Sequence, residues 1–205
     1  VQPIIFIGGV GSQTETIAPV LAALQAHYKC PVTGFTFRQA QNEHPDLRGS
    51  RVITHSAGML LVRGHTPVSL LAIAPPVTMT LVSLLIKFVQ KDRQLVASRR
   101  SSSPKRAELI KKFYRHAALE DSLHPVKNIF MAPKISRFDS LKEAELLAEK
   151  GVAVTLGFCA YDFLFRPEAE QVTRLNDVVI VSDLPGQHDE LLLEPERVLE
   201  RVYGF

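Results

Sequence analysis

Six short runs of apolar residues constrain this chain more than any other feature, because each ends in a turn-forming break and most are followed by a segment of helical periodicity. They are Ile4 to Gly9, Pro31 to Phe37 (PVTGFTF), Arg51 to Thr54 (RVIT), Ser69 to Ala74 (SLLAIA), Val152 to Cys159 and Asp177 to Ser182 (DVVIVS). A strand that is near-continuously apolar, rather than alternating, is buried on both faces, and strands interleaved with helices pair in parallel. The expected class is therefore α/β, with a mainly parallel sheet of about six strands covered by helices on both sides. The chain has 205 residues, 46% of them hydrophobic and 22% charged, which is enough to build one well-cored domain over 1–205. No internal repeat and no second domain boundary is visible.

The helical segments are uneven in length. Ile17 to Tyr28 follows the first glycine-ended run, and a short apolar helix starts near Met59 to Val62. Only Arg38 to Ser50 separates the second strand from the third, so a helix there must be very short. The longest departure runs from Val77 to Val96 and from Lys105 to Leu119, with a polar hinge at Arg99-Arg100-Ser101-Ser102-Ser103-Pro104 between them. Leu81, Leu84, Leu85 and Phe88 share one helical face in it, which reads either as plain core packing or as the wall of a lipophilic pocket. Ser140 followed by Glu143 has the pattern of a capping box, and Gly151 marks that helix's end. Glu196 to Tyr203 closes the chain as a helix.

Charge and composition exclude several classes. Lys87 interrupts the best apolar stretch, Val77 to Val89, so no membrane span is expected. The opening Val1-Gln2-Pro3-Ile4 has no basic region before an apolar one, and the two cysteines, Cys30 and Cys159, lie inside apolar runs; the expectation is a cytoplasmic protein with two buried thiols. The net charge is +3, but nine Lys/Arg against two acids fall between Lys91 and Arg115. Such a stretch is either a solvated helical surface or an attractor for an anionic substrate or a phospholipid head group, in which case the partner is a membrane touched peripherally. Nucleic acid is not expected, since Phe113 and Tyr114 are its only stacking residues.

Three polar sites follow strand ends, where open α/β sheets bind their ligands. Thr54-His55-Ser56-Ala57-Gly58 is a strand-to-helix turn with a serine at its apex and small residues after it. Tyr161-Asp162-Phe163 follows the fifth strand, and Pro185-Gly186-Gln187-His188-Asp189 follows the sixth. Each has a plainer reading: Ser56 as a helix cap, Asp162 as a turn residue with Asp139 or Asp183 in its place, and His188 as a surface loop residue. The other histidines, His27, His44, His65, His116 and His124, show no metal-ligand spacing. The run Gly8-Gly9-Val10-Gly11-Ser12-Gln13 does not continue as G-x-G-x-x-G, which weighs against a dinucleotide.

In these motifs the chain resembles the α/β-hydrolase superfamily. The turn around Ser56 is similar to its G-x-S-x-G nucleophile elbow, with Thr54 in place of the first glycine, and Ile5 to Gly11 is similar to its strand and His-Gly-x-Gly oxyanion loop, with Gly8 where histidine is frequent and the two strands that precede it in the full fold missing. The resemblance implies a reduced α/β-hydrolase fold in which 77–121 is a helical cap or lid. It implies Ser56 as nucleophile, Asp162 as acid and His188 as base, in the order Ser, Asp, His, and the amides of Val10 and Ala57 as the oxyanion hole. His55 is structural in this reading. The implied activity is a serine hydrolase of the carboxylesterase, lipase or thioesterase kind, acting on a small-molecule acyl substrate without metal or organic cofactor. Acyl transfer by the same triad and non-catalytic binding of a ligand or partner are the alternatives.

Overall fold

Within a computed structural model that describes residues 2–87, 103–123, 125–162 and 164–204, all six apolar runs form strands. They are β1 (Ile4–Ile7), β2 (Val32–Phe35), β3 (Arg51–His55), β4 (Ser69–Ile73), β5 (Ala153–Cys159) and β6 (Val178–Leu184). Every pairing is parallel and the order across the sheet is β2-β1-β3-β4-β5-β6. After β2 the chain crosses back over β1 to lay down β3, so the connections leaving β1 and β3 run to opposite sides. That topological switch falls between β1 and β3, and in open α/β sheets the carboxyl ends of the strands at such a point are where ligands bind.

Alternation along the strands divides the core in two. Ile4, Phe6, Ile53, Leu71 and Ile73 face one side and pack on Ile17, Val20 and Leu24 of α1 (Thr14–Tyr28) and Val198 and Leu199 of α8 (Pro195–Tyr203). Ile5, Ile7, Val52, Leu70, Val154 and Leu156 face the other, against α2 (Phe37–Glu43) and α5 (Ser140–Glu149). A period of two in the strands thus meets helices on both faces. The short span between β2 and β3 holds its helix by a reciprocal cap: Gln39 N donates to Thr36 Oγ1 at 3.2 Å, and Thr36 N donates to Gln39 Oε1 at 2.9 Å.

Between β4 and β5 lies the helical excursion. Residues 81–87 are helical, followed in the described chain by α3 (Pro104–Leu123), α4 (Pro125–Arg137) and α5. The first helix starts at 81 rather than at Val77 because Thr80 caps it, its Oγ1 accepting from Ser83 N at 3.1 Å. α3 starts at Pro104, where Ser103 Oγ accepts from Arg106 N at 3.3 Å, and runs to Leu123, beyond the expected Leu119. The cap of α5 also differs from expectation: Asp139, not Ser140, accepts the amides of Leu141 and Lys142, both at 3.1 Å. Its carboxylate reaches two amides, whereas Ser140 Oγ is buried without a hydrogen-bond partner among the described residues. Of the leucine stripe, Leu84 is fully buried while Leu81 and Leu85 are exposed, so the stripe is only partly core. Phe88, Lys91, Arg93, Arg99 and Arg100 lie outside the described residues.

The chain closes through α6 (Ala169–Val172), β6, α7 (Glu190–Leu193) and α8. Cys30 and Cys159 are buried and unpaired with each other. Among the described residues no helix is long and apolar enough to cross a membrane.

Candidate active site

Ser56 sits at the carboxyl end of β3, where the chain turns directly into a 3-10 helix, Ser56–Leu61. Its φ of +52° is in the left-handed region that a residue with a side chain rarely adopts. The turn is possible because its neighbours carry so little: a Cβ on Gly9 would come 2.8 Å from Ser56 Cβ, and one on Gly58 would come 2.5 Å from the Ile7 carbonyl oxygen. Ser56 is inside the helical turn rather than capping it. His55 holds the cap position and makes no side-chain cap, so the Ser56 hydroxyl is left for another partner.

That partner is His188. Its Nε2 lies 2.9 Å from Ser56 Oγ and its Nδ1 lies 2.9 Å from Asp162 Oδ2. All three side chains are buried, with Ser56 the most accessible at 9%. The carboxyl ends of β3, β5 and β6 thus bring together residues 106 and 26 positions apart in sequence. Asp162 is held by its own loop, since Leu164 N and Phe165 N donate to its Oδ1 at 2.8 and 3.1 Å. Burial works to raise the Asp162 pKa, but its electrostatic attraction to His188, their hydrogen bond and the two backbone amides outweigh it and hold the carboxyl below its usual value. An ionised carboxylate on Nδ1 fixes that nitrogen as the donor, which leaves Nε2 to accept from the serine hydroxyl.

Other residues complete the surroundings. His55 Nε2 donates to the His188 carbonyl oxygen at 2.9 Å, tying the histidine loop to the end of β3, and the Phe165 ring meets the His188 ring edge-on with centroids 5.2 Å apart. Burial, with the charges of Asp162, Glu190 and Asp189, pushes the Cys159 thiol well up, so it stays protonated beside the acid. On the β1 side, Ser12 N donates to Gly9 O at 3.0 Å and Gly11 has φ +83°, the signature of a type II turn that presents Val10 one residue beyond the Gly9 contact with Ser56. Ala57, the residue after Ser56, is buried.

The two substitute acids stand elsewhere. Asp139 caps α5, and Asp183 is exposed beside Arg166 at 3.4 Å. His27 stacks on Tyr203, which lines the cavity at the amino ends of the strands. Among the described residues one set of potential metal ligands converges, His55, His188 and Asp189, with ligand atoms within 4.8 Å of one another. Both ring nitrogens of His188 already face Ser56 and Asp162, so a cation there would compete with that arrangement. A cavity of about 190 Å³ lined by Tyr28, Arg51, Ser69 and Thr155 lies at the opposite, amino ends of the strands, away from Ser56. The two amides on Asp162 are those of the turn residue that an aspartate just after a strand suggests, whereas the His55 contact has no local signal, since it joins residues 133 positions apart.

No sequence-family model matches the chain, and a search of curated proteins finds no match to it. Solved structures do resemble it in shape. A candidate non-heme bromoperoxidase, BpoC, from Mycobacterium tuberculosis H37Rv is 17% identical, with all of this chain and 91% of that one covered at a TM-score of 0.61. The thioesterase domain from the curacin biosynthetic pathway is 17% identical, with 98% and 90% covered at 0.56. A thermophilic esterase from Thermogutta terrifontis is 12% identical, with 100% and 89% covered at 0.63. At such identities the likeness concerns the fold.

Proposed function

We propose that this chain, which has the α/β-hydrolase fold, is a serine hydrolase that cleaves an ester or thioester of a small or lipophilic acyl substrate. The observation that carries the reading is the buried series Ser56 Oγ, His188 Nε2, His188 Nδ1 and Asp162 Oδ2, each link 2.9 Å long, built on a serine with left-handed backbone. In the first half-reaction Ser56 Oγ attacks the acyl carbonyl and its proton passes to His188 Nε2. The tetrahedral oxyanion is received by the amides of Val10 and Ala57, each worth on the order of 10²–10³ in rate. The intermediate collapses to an acyl-enzyme, and the alcohol or thiol leaves with the proton from His188. Water then enters by the same base and releases the acid, regenerating the serine.

Asp162 keeps the imidazole in the right tautomer and balances its charge in each half-reaction. An esterase and a thioesterase are among the structural neighbours, beside a bromoperoxidase, so the fold accommodates this chemistry and the choice of it rests on the site's own geometry. In this reading 1–205 acts as one domain, and 77–121 is the cap that shapes the acyl pocket. The test is hydrolysis of p-nitrophenyl esters of increasing chain length. Ser56→Ala is expected to lower kcat by roughly 10⁴-fold or more with an unchanged melting temperature. A variant that keeps its turnover contradicts the reading, and a folded wild type that cleaves none of the series leaves a binding protein as the better description.

A further inference from the structure

Arg106, Ile110 and Phe113 occur at i, i+4 and i+7 on α3, so they share one face of that helix. The face meets α7, where the fully buried Ile110 packs with Leu193 and Phe113 beside them. One turn earlier, Arg106 reaches Glu190, a carboxylate with no solvent exposure. Its Nη1 lies 2.6 Å from Oε1 and its Nη2 lies 2.8 Å from Oε2, a two-pronged match of guanidinium to carboxylate. Arg106 also donates to Glu194, and Arg197 stands 3.7 Å from Glu190 Oε1. A carboxylate this buried is costly without its partner, so the position of α3 matters to Glu190.

Glu190 in turn shapes the loop that carries the histidine. Its amide donates to Gln187 O at 3.0 Å, and its carboxylate oxygen Oε2 accepts from Gln187 N at 3.3 Å. The four-residue turn 187–190, with His188 in second place, is therefore closed by one residue at both ends. Gly186 completes it: φ is +86°, and a Cβ there would overlap the Glu190 carboxylate. A second cation of the excursion reaches the other loop, where Lys87 Nζ donates to Leu164 O at 3.3 Å, two residues from Asp162.

We infer that Arg106 is a positioning residue, which grips Glu190 so that seating of α3 and alignment of His188 with Ser56 are a single event. The inference rests on the hydrolase reading above and gives the excursion a second role beside that of pocket wall. Unseating α3 withdraws the fork from Glu190, loosens the 187–190 turn and moves the base away from the serine.

The test is inactivation of the full chain by a fluorophosphonate, analysed for the limiting rate constant kinact and the half-saturation constant KI. Arg106→Lys keeps a charge beside Glu190 but not the fork; Arg106→Ala removes both. The expected result is a kinact roughly three- to tenfold lower in Arg106→Lys and roughly tenfold or more lower in Arg106→Ala, with KI within about twofold. Adding Glu190→Gln to Arg106→Ala removes the buried charge that would otherwise keep only the longer 3.7 Å contact with Arg197, and is expected to restore the melting temperature without restoring kinact. Wild-type kinact in both single variants, or recovery of kinact together with the melting temperature in the double variant, would overturn the inference. A wild type that takes no label at Ser56 overturns the hydrolase reading and this inference with it, whereas a labelled wild type with unaltered variants overturns the inference alone.

Discussion

A Cβ added to Gly58 would stand 2.5 Å from the Ile7 carbonyl oxygen and 2.9 Å from that of Gly8, backbone atoms of the last residue of β1 and of the one after it. Neither can give way without shifting β1, so Gly58→Ala is expected to destabilise the protein by about 1–3 kcal/mol, measured by urea unfolding. It should also lower activity, because the strained Ser56 turn is packed on the same backbone. Thr54, where the resemblance leads one to expect glycine, is the last residue but one of β3, paired with Ile7 and Ala72 and fully buried, its hydroxyl without a hydrogen-bond partner among the described residues. At this scale the meeting of Ser56, Asp162 and His188 was open to expectation from sequence, because each stands in a short motif just past an apolar run. Arg106 and Glu190 were not: their pairing spans 84 residues, and a single arginine in a basic stretch gives no sign of which carboxylate it meets.

The strands were legible because continuous apolarity bounded by breakers is a local property, and all six emerge within a few residues of the expected bounds. Helices of the excursion were less so. α4 was missed altogether: it contains Pro133 and carries lysines and an arginine among its apolar residues, so no clean stripe marks it. The cap of α5 was misplaced by one residue because Asp and Ser adjoin and both are good caps, and only the side-chain geometry decides between them. Asp139→Ala is expected to cost about 1 kcal/mol of stability in thermal or urea unfolding, whereas Ser140→Ala is expected to cost little, since its hydroxyl makes no hydrogen bond among the described residues.

For the whole molecule, the reversal of strand order at β1 and β3 places Gly9 and Ser56 against each other, and β5 and β6 then deliver Asp162 and His188 to the same end of the sheet. Fold and site are therefore one arrangement, and the pH dependence of stability should report it. The folded Asp162 pKa is depressed, so its contribution is full above the unfolded carboxylate value and is lost as pH falls through the folded one. The melting-temperature difference between wild type and Asp162→Asn should be flat above about pH 5 and shrink below about pH 4. A difference that grows on acidification would contradict that sign. The central claim is that Ser56 is activated by His188, and the most direct measurement is peptide mass spectrometry after fluorophosphonate treatment. The expected result is a single phosphonyl adduct on the peptide containing Ser56, abolished in His188→Ala; an adduct that forms equally well without His188, or none on folded wild type, would contradict the account.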